Sequence, residues 1–78
     1  MIDAHDVQPR IEVLRHAFEG MRGNMPLARK QTYDNAVRRL EEIQGLADAG
    51  HYVQALYDLR WVQGVSVGLG IREPNESD

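Results

Sequence analysis

The chain has 78 residues, twelve acids against nine bases for a formal net charge of −3, and no cysteine. These values exclude a disulfide scaffold and a cysteine-based zinc site, and no apolar run approaches the ~18 residues of a membrane span. With 42% apolar and 27% charged residues the composition is that of an ordered globular domain, but a chain this short buries only roughly 60–65% of its unfolded surface, so self-association is expected to supplement the core.

Met1 to Asp6 carry acid where a signal peptide carries base followed by a long apolar stretch, so secretion is not expected and the chain reads as cytoplasmic. The first helix is marked by Val7, Ile11, Leu14, Phe18, Met21 and Met25, spaced 4, 3, 4, 3, 4. That is an a/d seam, which buries itself against another helix. Asp6 is the expected N-cap, with Pro9 tolerated in the first turn. Gly23-Asn24 followed by Met25-Pro26 reads as a stop and a restart, so the helix is expected to end near Arg22 with Met25 packing from the turn.

A second helix is predicted from Pro26 or Thr32 to Ala49. Its apolar face is Tyr33, Ala36, Val37, Leu40, Ile43, Leu46 and Ala47, and Gly50 ends it in a left-handed conformation. The third helix begins at His51 or Tyr52. Val53, Leu56, Leu59, Trp61 and Val62 give it a wide apolar face, with Ala55 a small contact, and this segment is expected at the centre of the bundle. Val65 to Ile71 alternates like a strand, but Gly70, then Ile71, then Pro74 is a helix stop, and a lone strand would have no partner, so helix is favoured. One helical domain over 1–72 and a polar tail over 73–78 follow.

Charge is uneven along the chain. Arg22, Arg29, Lys30, Arg38 and Arg39 share their stretch with a single acid, Asp34, whereas residues 41–58 hold four acids and no Lys or Arg. Such a step joins segments or chains, or simply solvates two faces. Arg22, Arg29, Lys30 and Arg39, with Tyr33 or Tyr57 as a stacking platform, form a candidate site for a small anion such as a nucleotide. Nucleic acid itself is not expected, because the balance is acidic and aromatics are sparse.

No catalytic set stands out. His5, His16 and His51 lie far apart and form no metal-ligand pair at helical spacing, and Asp3, His5 and Asp6 read as a solvated chain end. Ser66 has no base nearby, Glu41 and Glu42 point in different directions, and no glycine-rich loop follows a strand. No enzyme activity, metal or cofactor is expected. The candidate contact residues are Tyr57, Arg60, Trp61, Gln63 and Gly64. Tyr57 and Trp61 are one helical turn apart, and aromatics with arginine dominate binding hot spots. Trp61 reads first as the largest core residue of a small bundle, and the two readings are compatible if the core continues across a dimer interface. Gly64 and Gly68 allow a close backbone approach, within the bundle or between chains. Gln63 sits between Val62 and Gly64 on a helix that reads as buried, where its amide would need partners on this chain or on a second copy.

Residues 55–71 resemble the last helix of a family of small phage-encoded helical proteins. The likeness is carried by Ala55-Leu56, Leu59, Trp61-Val62-Gln63-Gly64-Val65 and Gly70-Ile71, about 17 of the 78 residues. Tyr57-Asp58 stands where such relatives show Arg-Trp. The resemblance implies a phage or prophage origin and a non-enzymatic accessory role. The combined expectation is an all-α helical hairpin or three-helix bundle, forming a homodimer, that binds a host protein in the bacterial cytoplasm and modulates it, in counter-defence or host takeover.

Overall fold

A computed structural model describes residues 2–71 and places them in three helices: α1 (Ala4–Gly20), α2 (Leu27–Asp48) and α3 (Tyr52–Gly68). The fold is an all-α three-helix bundle, and among the described residues there is no strand. Two short connections make consecutive helices antiparallel neighbours. The expected tail, 73–78, lies outside the described residues.

Each helix end has a chemical cause. Asp3, not Asp6, caps α1. Its carboxylate accepts from the His5 amide at 2.9 Å, while Asp6, at the third helical position, accepts from the Asp3 amide at 2.9 Å. Two amides that the helix cannot satisfy are thereby satisfied reciprocally. Helix α1 stops at Gly20, two residues before the expected point, with Met21 and Met25 half-buried against the core from the turn. Pro26 stands just outside α2, in extended backbone, rather than opening it.

Helices α2 and α3 end alike. Gly50 and Gly70 take φ of +85° and +76°. In α2 the amides of Gly50 and His51 return to the carbonyls of Ala47 and Leu46; in α3 those of Gly70 and Ile71 return to Val67 and Ser66. This is the Schellman arrangement, and it needs a left-handed residue that glycine supplies without Cβ strain. Residues 65–71 are therefore the end of a helix and its stop, with Leu69 and Ile71 folded back into the core.

The core is drawn from all three helices. Val7, Ile11, Leu14 and Phe18 of α1 meet Tyr33, Ala36, Leu40 and Ile43 of α2 and Ala55, Leu59 and Val62 of α3. Phe18 and Tyr33 stack with ring centroids 5.4 Å apart, and the Tyr33 hydroxyl donates to the Phe18 carbonyl. Burial raises the Tyr33 phenol above its ordinary value of 10.0, with Arg22 opposing part of the shift, so the group stays a donor. Among the described residues Ser66 is the buried polar side chain of the core, and its hydroxyl donates to the Gln63 carbonyl at 2.7 Å.

Helix α3 is not central. It is one wall of three, packed most extensively on α2, and the α1–α3 contact is the slightest of the bundle. The expectation failed because α3 is apolar on two sides, and only one of them, marked by Ala55, Leu59, Val62 and Ser66, is turned inward.

Candidate interaction surface

The second apolar side of α3 faces away from the other helices. Val53, Tyr57, Trp61 and Val67 are 69%, 71%, 50% and 73% exposed. Val53, Tyr57, Trp61, Gly64 and Gly68 recur at intervals of 4, 4, 3 and 4, so they form one stripe along the helix. Trp61 is thus not a core residue, and Val53 does not share the buried face with Leu59. Both are corrected by the same geometry, since the inward side of α3 is already filled by smaller side chains.

The glycines are open notches in this stripe. A side-chain carbon built at Gly64 or at Gly68 would meet nothing within 4 Å. They serve no close packing inside the bundle, which was one of the two expected uses. Trp61 is steadied from one side: the Arg39 guanidinium lies 5.8 Å from its ring centroid and is itself paired with Glu42 at 3.3 Å. A cation over the indole face restrains the ring and leaves its other face to solvent.

The five expected contact residues divide between two places. Tyr57, Trp61 and Gly64 lie on the outward stripe. Arg60 and Gln63 line an open groove of about 830 Å³ between the first half of α1 and α3, whose walls include Ile2, His5, Asp6, Arg10, Val13 and Leu56. Gln63 is exposed rather than buried. Arg60 stands where stripe and groove meet.

The candidate anion-binding residues do not gather. Arg22 lies beside Tyr33, Asp34 and Glu19 in a hollow of about 330 Å³ between α1 and α2. Arg39 is over Trp61. Arg29 and Lys30 are exposed in the first turns of α2, and at ~1.5 Å per residue Lys30 and Arg39 are separated by roughly 13 Å along the helix. No single ligand of nucleotide size meets all four. Among the described residues there is also no group of three His, Asp or Glu side chains able to hold a metal, and no described helix is long and apolar enough to cross a membrane.

One polar assembly had no signal in the sequence. Gln44 of α2 uses its whole amide: its Nε2 donates to Gln8 Oε1 at 2.8 Å and Asp48 Oδ1 at 3.0 Å, and its Oε1 accepts from Gln8 Nε2 at 3.0 Å and Arg15 Nη2 at 2.8 Å. Four bonds are the full capacity of that side chain. The three bonds to Gln8 and Arg15 clamp α1 to α2, and the bond to Asp48 lies within α2. Glutamines 36 residues apart carry no local pattern that would pair them.

Compared with known proteins, the chain matches no family model, no curated protein and no solved structure.

Proposed function

We propose that this chain is a small non-catalytic interaction protein whose contact surface is the outward face of α3. The observation that carries the reading is the set of four large apolar side chains, two of them aromatic, left half or more exposed on one helix that has already met its packing needs on its other side. Water-exposed aromatics beside an arginine are the composition of binding hot spots rather than of an idle surface. As the sequence reading of residues 55–71 implies, the proposed target is a bacterial host protein, modulated in the cytoplasm.

The test compares the natural chain with a Tyr57→Ala/Trp61→Ala variant. The unfolding free energy is expected to fall by about 1–2 kcal/mol, chiefly from the covered half of Trp61 and its Arg39 contact, with the fold retained because neither side chain lies in the core. Association is expected to be lost, read as solution mass for self-association and as quantitative capture of bacterial proteins for other partners. A variant that retains every partner of the natural chain would refute the assignment.

A further inference from the structure

We infer that the outward face of α3 pairs with the same face of a second copy of this chain, in antiparallel orientation, with Trp61 of each copy seated in the Gly64 notch of the other and Tyr57 in the Gly68 notch. This rests on the reading of that face as a contact surface and names its occupant.

The pairing follows from the positions of the large and small residues. In a twofold-symmetric antiparallel helix pair, facing positions are equidistant from one midpoint on the helix. The midpoint between Trp61 and Gly64 and the midpoint between Tyr57 and Gly68 coincide, at the peptide joining residues 62 and 63. One axis therefore sets both aromatic side chains over both glycines at once. A parallel pair would instead set ring against ring and leave glycine facing glycine over a void, which forfeits packing. Both notches are open to receive a ring, and Arg39 holds one face of the indole so that the other is presented outward.

The area agrees with a dissociable dimer. Aromatic side chains carry roughly 150–250 Å² each, so at 71% and 50% exposure Tyr57 and Trp61 together leave on the order of 250 Å² in water. Val53 and Val67 bring the patch to about the middle of the ~300–600 Å² found for the largest apolar patch of a monomer. Two such patches bury roughly 900 Å², below the ~1,200 Å² of standard stable interfaces and in the range of weak, transient contacts. Area does not fix affinity, but a contact this small is a weak one, with association expected in the micromolar range.

The experiment is sedimentation equilibrium of the full chain across the micromolar range, beside a Gly64→Gln/Gly68→Gln variant. Glutamine keeps the net charge and favours helix over glycine, so the variant monomer is expected to melt higher than the natural one. It is also expected to dimerise about tenfold or more weakly, the effect of overfilling a packed contact. Opposite signs in the two readouts separate the interface from the fold. Register is read by disulfides, because the chain has no cysteine. Tyr57→Cys and Gly68→Cys proteins, mixed and mildly oxidised, are expected to cross-link to each other. Tyr57→Cys alone is not, since its two sulfurs would stand about 16 Å apart along the axis.

A dimer untouched by the glutamines, or a Tyr57→Cys homodimer, overturns the proposed pairing. A chain that stays monomeric throughout also overturns it. If that monomer still captures another protein through Tyr57 and Trp61, the contact-surface reading survives; if it captures none, both fall.

Discussion

Val53 and Val62 occupy one helix nine residues apart, two and a half turns, and so face opposite ways. Val62 is fully buried and Val53 is 69% exposed. The same substitution, valine to alanine, removes the same two methyl groups at each. At Val62 the lost transfer energy is about 1.6 kcal/mol at ~0.8 kcal/mol per methyl, and incomplete collapse of the site brings the total to roughly 2–3 kcal/mol. At Val53 little burial is lost, and alanine favours helix over valine by up to about 0.5 kcal/mol, so the change is expected to be near zero or slightly stabilising. For a chain of this size each 1 kcal/mol moves the melting temperature by roughly 4–8 °C, so the two variants should differ by 8 °C or more on that scale. The assay is urea and thermal unfolding followed by circular dichroism, at dilutions where the chain is monomeric. Equal losses at the two positions, or a larger loss at Val53, would refute the division of α3 into an inward and an outward face.

Three further outcomes test the scaffold. Gln44→Ala removes four hydrogen bonds at a half-buried site and is expected to cost about 1–2 kcal/mol; a urea midpoint unchanged from the natural chain would count against the α1–α2 clamp. Asp3→Ala should cost about 1 kcal/mol by uncapping α1, and Asp6→Ala less, because Asp3 alone satisfies the helical amide. The chain should also lose stability in alkali. Tyr33 holds its proton more tightly when folded than the ordinary 10.0, so the unfolded chain ionises first. The contribution is complete below pH 10, and it disappears as pH rises through the raised value. Urea midpoints across that interval should show the slope, and Tyr33→Phe should remove it.

The legible part of this fold was the part written as local spacing. The seam from Val7 to Phe18, the face from Tyr33 to Ala47, and the glycine stops at Gly50 and Gly70 each depend on residues within one or two turns, and each lies where its spacing places it. Helix α3 was harder because its apolar residues surround it. Periodicity orients a helix with one greasy side and says nothing when there are two, so Trp61 and Val53 were assigned to the wrong one. What decided the matter was the tertiary packing: the arc holding Ala55, Leu59, Val62 and Ser66 is turned inward, and Val53 and Trp61 lie on the other arc. Of the five contact residues read from the sequence, Tyr57, Trp61 and Gly64 share the outward stripe, whereas Arg60 and Gln63 line the groove beside it. The Gln8–Gln44 pair and the Arg39–Trp61 contact were not legible at all, since both are cross-helix meetings fixed only by the packing angle.

Trp61 is the single tryptophan of the chain, so its fluorescence reports on the outward face of α3 without interference. Acrylamide quenching of that emission, measured as protein concentration is raised, tests the account most directly. In dilute monomer the indole should be readily quenched and red-shifted in emission, and both should reverse as the face is covered. An indole already shielded and blue-shifted in the dilute monomer would place Trp61 in the core and contradict the account.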